Sequence, residues 1–405
     1  MVNLDDYAWL TGDEAAAAAL AAYADDPRSE LQQQNELRKQ FTPERARLVL
    51  EQIGLRRRGV QKFGPLAMRM FFAPVALEQA TDGEIAAYKA ARFRADGAGR
   101  LVHDYCCGIG GDLLALAAAG PAIGWDSSPV VRLLAEQNLA AAAMAVGVIA
   151  SQGEVREGDV AELTPDAGEA WHVDPDRRAD GRRSTTLENH SPGPEVIDRW
   201  RAAAPDGAVK LSPASTPPKD WEREGELEWI TSQRECRQLV AWFGQLALAP
   251  GQRRATIALG GSQSASFVGE VEIDCVAANE PLRYVYDPDP SLIAAHLLGA
   301  IAEHHELTSL GAGGVYLTGD EPIADPLLAS FAIEEVFPLR VAAVGSWLSA
   351  RNVGKLEVKK RGVTIDPEKF RRDLKLRGDD AATLILTRIG KRQVAIVARR
   401  LATAT

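Results

Sequence analysis

The stretch Val102-His103-Asp104-Tyr105-Cys106-Cys107-Gly108-Ile109-Gly110-Gly111-Asp112 constrains this chain more than any other. An apolar run ends near an acid, glycines then let the backbone turn sharply, and a helix-forming Leu/Ala sequence follows. Such a strand–turn–helix unit belongs in an α/β sheet with ligands at the carboxyl ends of its strands. The flanking sequence repeats the theme. Strands are expected at Arg100–Tyr105, Pro121–Trp125, within Val148–Glu157, and at Ala170–Val173, Ala208–Leu211, Leu227–Thr231 and Ala255–Leu259. Helices are expected at Asp112–Ala119, from Pro129 to about Val146, and at Pro194–Ala203. The outcome is a seven-stranded Rossmann-like sheet.

At 405 residues the chain is long enough for two or three cores. Residues 1–98 read as a helical cap. Thr42-Pro43-Glu44-Arg45 offers an N-cap with proline at the first helical position, and Thr81-Asp82-Gly83-Glu84 has capping-box spacing. Residues 99–262 hold the sheet, and 263–405 form a linker and a C-terminal module. The Gly260-Gly261-Ser262 turn and the polar residues after it suit the linker. Beyond it the sequence predicts a helix from Pro290 to about His305, strands at Leu356–Val358, Thr383–Thr387 and Val394–Val397, and a helix at Phe370–Leu376. That is a small α+β domain.

Composition narrows the function classes. No apolar run reaches the ~20 residues a membrane span needs. The N-terminus lacks the layout of a signal peptide, so a cytoplasmic protein is expected. Cys106, Cys107, Cys236 and Cys275 have neither disulfide-framework nor zinc-ligand spacing, and no metal site is expected. Net charge is −10, yet from Arg340 onward 16 Lys and Arg face 6 Asp and Glu, leaving −20 on the preceding residues. An acidic body with a basic tail suits a module that meets an anionic partner; a solvated charged surface is the plainer alternative.

The glycine turn is not that of a dinucleotide enzyme, because Leu113 stands where G-x-G-x-x-G requires its last glycine. It also carries its own acid, Asp104, which suits a cationic amine and repels a diphosphate. A second acid, Asp126, ends the next strand beside Ser127, where a carboxylate can accept from ribose hydroxyls. A third, Asp159, follows the third strand, placed to accept from an adenine amino group with the Val160 backbone against the ring. The bland alternative is that Gly108 and Gly110 only shape a turn and the acids cap helices. Cys106 and Cys107 read as small packing residues beneath a ligand rather than nucleophiles. As a set, Arg100–Leu259 resembles the S-adenosylmethionine site of class I methyltransferases. That resemblance implies cofactor contacts from Asp104, Cys106, Gly108, Gly110, Asp126, Ser127, Asp159 and Val160.

The fourth strand runs into His172-Val173-Asp174-Pro175-Asp176-Arg177-Arg178. Many nucleic-acid methyltransferases have Asp or Asn, two prolines and an aromatic at this point, holding and stacking an amino-bearing base. Asp174 and Pro175 match that pattern, while Asp176 and Arg177 depart from it. The resemblance makes Asp174, Pro175, Arg177 and Arg178 the catalytic candidates. Arg177, Arg178, Arg182 and Arg183 can grip phosphate or stack on a base, or can pair with Asp174, Asp176 and Asp180. Lys210, at the end of the fifth strand in Lys210-Leu211-Ser212-Pro213, is a further substrate-binding candidate. Trp221 and Trp229 could stack on a base or pack in the core, while Arg56-Arg57-Arg58 and Lys62-Phe63-Gly64 could line the cofactor mouth or the substrate path or simply form a solvated helix end.

Taken whole, the chain resembles bacterial class I methyltransferases with a C-terminal THUMP-like domain. The residues behind this are the 104–112 turn, Asp174–Arg178, Lys210–Pro213, Glu228-Trp229-Ile230, Val353–Gly362 and Arg388-Ile389-Gly390-Lys391. The cofactor turn is also similar to that of trimethylguanosine synthases, whose stacking tryptophan has no counterpart here. The resemblance implies S-adenosylmethionine as cofactor and methylation of a base in structured RNA, tRNA or rRNA. It also implies RNA contacts from Lys359, Lys360 and Arg361. A protein or small-molecule acceptor, or RNA binding without turnover, are the rival readings. Oligomeric state is not legible.

Overall fold

The structure, a computed structural model, describes residues 3–95, 99–145, 152–176, 186–260, 263–271 and 273–401. Arg177, Arg178, Arg182 and Arg183 lie outside the described residues. The chain divides into two compact units. The first comprises Met1–Leu227, Gln238–Gly251 and Ala258–Ser264; the second comprises Glu228–Arg237, Gln252–Ile257 and Ala265–Thr405.

The first unit opens with helices α1 (Leu4–Gly12), α2 (Glu14–Tyr23), α3 (Glu30–Leu37), α4 (Pro43–Phe63), α5 (Pro74–Gln79) and α6 (Gly83–Phe93). In α4, Thr42 accepts the Arg45 amide at 3.3 Å and Pro43 takes the first turn, as the sequence predicts. Its buried stripe of Ala46, Leu48, Val49, Ile53 and Leu55 follows the 3.6-residue period and packs with Leu10, Leu37 and Phe72. Each of its Leu, Val and Ile side chains contributes about 1.5–3 kcal/mol on burial. One cap differs from expectation. Asp82 rather than Thr81 caps α6, accepting from the Glu84 and Ile85 amides at 3.2 and 3.1 Å. The Thr81 hydroxyl is instead committed to the site described below.

The sheet follows as β1 (Val102–Tyr105), α7 (Leu113–Ala119), β2 (Ala122–Asp126), α8 (Pro129–Ala145), β3 (Gly153–Glu157), β4 (Ala170–Val173), α9 (Pro194–Ala203), β5 (Gly207–Leu211), α10 (Lys219–Glu224), β6 (Glu226–Ser232), β7 (Glu235–Trp242), β8 (Arg253–Gly260) and β9 (Gln263–Gly269). Its strand order is β3-β2-β1-β4-β5-β7-β6-β8-β9. Strands β1 to β5 are parallel to their neighbours, and β7 runs antiparallel to β5, with Lys210 opposite Val240. The sequence gives no sign of β7, whose first four residues, Glu235-Cys236-Arg237-Gln238, lack apolar alternation, and its seventh expected strand is Ala255–Leu259. Those residues belong to the longer β8. The stretch after Gly260, expected to be a linker, contains β9.

The order reverses between β1 and β4, which sit side by side although two crossovers lead away from β1. Open α/β sheets place their ligand crevice at the carboxyl edge of such a switch point. Here that edge holds Asp104, Cys106 and Asp174.

The second unit carries an eight-stranded sheet of β10 (Ala277–Ala278), β11 (Tyr284–Pro288), β12 (Thr308–Leu310), β13 (Leu317–Gly319), β14 (Leu328–Pro338), β15 (Val353–Lys360), β16 (Asp380–Ile389) and β17 (Arg392–Arg400). The order is β10-β12-β13-β11-β14-β17-β16-β15. Its helices are α11 (Pro290–Ala294), α12 (Leu298–His304), α13 (Val341–Ala350) and α14 (Pro367–Asp373). The helix expected from Pro290 to His305 is therefore broken in two, because His296 takes a left-handed φ of 60° between the halves. Both faces of the central strands are buried. Leu384, Leu386, Ala395 and Val397 pack with Val344, Leu348 and Phe370, while Ile385, Ile396 and Ala398 pack with Val285 and Phe331. This two-residue alternation, with both faces covered, explains the continuous apolar runs Leu384-Ile385-Leu386 and Val394–Ala398 in the middles of these strands.

Candidate cofactor and acceptor site

A cavity of about 520 Å³ lies at the carboxyl edge of the parallel strands β1 to β4, within the first unit. Its wall brings together Asp104, Cys106, Gly108, Asp126, Ser127, Asp159, Val160, Asp174 and Pro175, residues that are up to 71 positions apart in sequence. Gly110 shapes the same turn without lining the cavity. From the helical cap, Ala76, Gln79, Ala80 and Thr81 complete the wall. The cap segment is held by Lys62, whose ammonium donates to the carbonyls of Leu77, Glu78 and Ala80 at 2.8, 2.8 and 2.6 Å. Lys62 therefore closes the C-terminus of α5. Arg56 likewise donates to the Met70 carbonyl at 2.9 Å.

The turn after β1 requires unusual backbone. Gly108 and Gly110 have φ of 58° and 91°, and a side chain at Gly108 would meet only open space. Cys106 holds a left-handed φ of 58° despite its side chain, a local strain of the kind that collects at functional sites. Burial, and then the carboxylates of Asp126 and Asp174, push the Cys106 thiol well above its usual value. Cys107 is raised by the same first cause. Neither presents a ready thiolate.

Asp126 receives the Gly108 amide at 3.1 Å on one oxygen and the Ser128 amide at 2.9 Å on the other, so its carboxylate is fixed against the turn. Burial still holds it above the ordinary carboxylate value. Asp159 accepts the Ala161 amide at 3.0 Å and aligns Val160 along the cavity.

Behind this wall lies a buried polar network that the sequence reading did not assemble. In parallel pairing Asp104 sits opposite His172, so both project to one face, and the His172 Nδ1 to Asp104 Oδ1 distance is 2.7 Å. On its other side His172 Nε2 lies 3.1 Å from the Lys89 ammonium. An ammonium only donates, so Nε2 accepts and the ring proton sits on Nδ1, directed at Asp104. Lys89 also pairs with Asp112 at 2.7 Å. Thr81 donates to Asp112 at 2.6 Å and accepts from the Gln238 amide at 2.9 Å. Burial alone would raise Asp112, but the surrounding cations, Lys89 foremost, bring it below the ordinary value. Asp104 is held above its ordinary value by burial, which outweighs the His172 hydrogen bond. Its Oδ2 is a buried acceptor with no partner among the described residues.

That orphaned oxygen is a test of cofactor fit. A buried acceptor in a cavity wall calls for a donor from the ligand, and a cationic amine satisfies both its hydrogen bond and its charge. With Asp126 and Asp159 at the next two strand ends, this set of acceptors fits an aminoacyl group, a ribose and an adenine. The residues present thus fit S-adenosylmethionine.

A signal for the missed network was available. Lys89 falls on the stripe Ile85, Ala86, Ala90, Phe93 that α6 buries, and His172 interrupts the apolar strand Ala-Trp-His-Val. Removing Lys89 leaves Asp112 buried with its main counter-charge gone. Lys89→Met should cost about 3–5 kcal/mol of stability, read as a lower urea midpoint. An unchanged midpoint would mean that the network carries no structural role.

At the acceptor end, Asp174 Oδ2 receives the Lys210 ammonium, which also donates to the Gln79 carbonyl at 2.9 Å. Lys210 is buried and faces Asp174; both of its contacts are inside the protein. Pro175 follows in the cavity wall, and Asp176 forms an isolated bridge with Ser191. Trp221 and Trp229 are core residues: the Trp221 indole N–H donates to Asp198 at 2.8 Å, and Trp229 is buried. In the second unit, Lys359 and Arg361 both pair with Asp287, at 2.7 and 3.1 Å, leaving Lys360 as the exposed member of that run. No cluster of three or more metal-ligating side chains occurs among the described residues.

A Rossmann-like sheet with this acid set around one cavity defines the class I S-adenosylmethionine-dependent methyltransferase fold. The relatives agree. The chain is 34% identical over 361 residues to an uncharacterized S-adenosylmethionine-dependent methyltransferase of Mycobacterium tuberculosis strain CDC 1551 / Oshkosh, covering 86% of this chain and 94% of the relative. The same figures hold for the protein of that name in strain H37Rv. The chain therefore belongs to this family of S-adenosylmethionine-dependent methyltransferases. The family described as "THUMP domain-like" matches residues 328–400, and a "Domain of unknown function (DUF8688)" matches residues 3–59. Among solved structures, a candidate methyltransferase from Porphyromonas gingivalis W83 superposes with a TM-score of 0.73 at 19% identity, covering 98% of both chains. That likeness supports the fold.

Proposed function

We propose that this methyltransferase modifies a base in structured RNA, tRNA or rRNA, in the cytoplasm. One observation carries the reading above the others: the THUMP domain-like match at 328–400 coincides with the basic part of an otherwise acidic chain. THUMP-like modules elsewhere hold RNA for a modifying domain, and a net excess of Lys and Arg is what phosphate binding needs.

On this reading Asp104, Asp126, Asp159 and Val160 hold the cofactor with the turn at Cys106, Gly108, Gly110 and Ser127. Bound S-adenosylmethionine supplies an electrophilic methyl group on a cationic sulfur. The protein's part is then mainly positioning. Asp174 holds the acceptor group or takes its proton, Pro175 shapes the strand end, and Lys210 orients Asp174. Arg177, Arg178, Arg182 and Arg183 engage the nucleotide, which must leave its stack to reach the cavity. Support for the acceptor assignment comes from Asp174 and Pro175 lining the same cavity as Asp104 and Asp126.

The test compares nucleosides from the RNA of a strain carrying the gene with those of a strain lacking it, by mass spectrometry. One methylated nucleoside should disappear with the gene and return with a plasmid copy. Identical nucleoside profiles in both strains would move the acceptor to a protein or small molecule.

A further inference from the structure

The run Lys359-Lys360-Arg361 is a poor phosphate grip, because Lys359 and Arg361 both spend their charge on Asp287. A different part of the second unit is built for anions. β15, β16, the end of β17 and α14 enclose a concavity of about 900 Å³. Its wall carries six cations, Lys355, Arg371, Arg372, Lys375, Arg399 and Arg400, against a single acid, Glu357.

The pairing within this wall leaves most of that charge available. Glu357 is engaged by Arg400 at 2.9 and 3.1 Å and so neutralises one cation. Arg371 pairs with Glu368 at 2.9 Å on the exposed side of its own helix, an arrangement worth little in water. Arg399 only reaches Glu334 at 4.0 Å. Lys355, Arg372 and Lys375 have no side-chain ion pair or hydrogen bond among the described residues, and all three are exposed. The rest of the lining is small, aliphatic or hydroxyl-bearing, from Gly354 and Leu356 to Ala382 and Thr383, with no aromatic ring to stack on a base. Six clustered cations around a concavity wider than a single phosphate suit a polyanion backbone, and the lining offers no stacking platform for bases.

We propose that this concavity, and not the 359–361 run, is where the second unit grips the phosphodiester backbone of RNA. The inference rests on the RNA reading above and gives it a location. Binding there is electrostatic and independent of sequence. It therefore weakens with salt in proportion to the phosphates neutralised.

The experiment uses the full-length enzyme and bulk transfer RNA from a strain lacking the gene, with affinity measured across a salt series. The triple variant Lys355→Ala/Arg372→Ala/Lys375→Ala should bind at least about tenfold more weakly, and the slope of log affinity against log salt should fall by roughly 2–3. Its urea midpoint and S-adenosylmethionine affinity should match the parent enzyme, which separates lost grip from lost fold. Lys360→Ala should change the slope by no more than about one. Unchanged affinity and slope in the triple variant, or a larger loss in Lys360→Ala, would overturn the proposal. So would failure of the parent enzyme to bind RNA. Methyl transfer read alongside keeps the two claims apart. RNA methylation with an indifferent triple variant rejects only the location. Salt-sensitive binding lost in the triple variant, with no methyl entering RNA, rejects only the acceptor.

Discussion

Asp104→Asn should abolish useful cofactor binding while leaving the protein folded. The amide keeps the size of the carboxylate, and its oxygen can still accept from His172 Nδ1, now 2.7 Å from Asp104. What changes is the second oxygen, buried and without a partner among the described residues. An NH₂ there offers a donor to a ligand amine that is itself a donor and a cation, so a charge-assisted hydrogen bond becomes a clash. Loss of such a bond in a buried site should raise the S-adenosylmethionine Kd by about 100-fold or more, equivalent to ~2.7 kcal/mol. Isothermal titration with S-adenosylmethionine and S-adenosylhomocysteine reads this directly, and a Kd within threefold of the parent would remove Asp104 from the site. The pH profile should agree. Burial holds Asp104 and Asp126 above ordinary carboxylates, so each gains its proton earlier as pH falls. Protonation removes the negative charge that a cationic ligand needs. Affinity should therefore decline on acidification sooner than a surface carboxylate would predict.

The second large effect is expected at Asp174. Asp174→Ala should lower kcat by about 10²–10⁴-fold while S-adenosylmethionine binds as before, because a group that holds or deprotonates the acceptor acts only on the second substrate. Lys210 lends the substitution a control. Its ammonium contacts both Asp174 and the Gln79 carbonyl, so one bond to the cap segment survives in the variant. Asp174→Asn then separates the two possible roles. If the side chain holds an amine by accepting its hydrogens, the amide oxygen retains part of the rate; if it takes a proton, Asn and Ala are equally inactive. Full turnover in Asp174→Ala would place the acceptor chemistry elsewhere.

Much of this was legible in the sequence, and the reasons are physical. Asp104 and Asp126 fall at the ends of short buried strands and Asp159 two residues beyond β3, and parallel strands in one sheet bring their carboxyl ends to one edge. That lets the spacing of these acids, together with the resemblance to class I methyltransferases, anticipate that they line one cavity. The N-cap at Thr42 was readable because it is local. Longer-range choices were not. Thr81 has capping-box spacing, yet its hydroxyl goes to Asp112 and Asp82 takes the cap. Strand β7 escaped notice because Glu235-Cys236-Arg237-Gln238 carries no apolar alternation. The fate of the basic residues was the least visible. Lys359 and Lys355 look alike in sequence, and only tertiary structure sets Lys359 against Asp287 and leaves Lys355 on a concavity. Lys89 and His172 were readable in principle, since a charged residue inside a buried stripe must find partners.

The central claim, that a cofactor bound at Asp104 and an acceptor held at Asp174 meet on RNA, is tested most directly by one assay. Labelled methyl from S-adenosylmethionine is followed into total RNA purified from a strain lacking the gene, with the parent enzyme and Asp174→Ala run side by side. The account predicts nuclease-sensitive label with the parent enzyme and none above background with the variant. Label that enters protein and ignores nuclease, or that enters RNA equally with both enzymes, would contradict it.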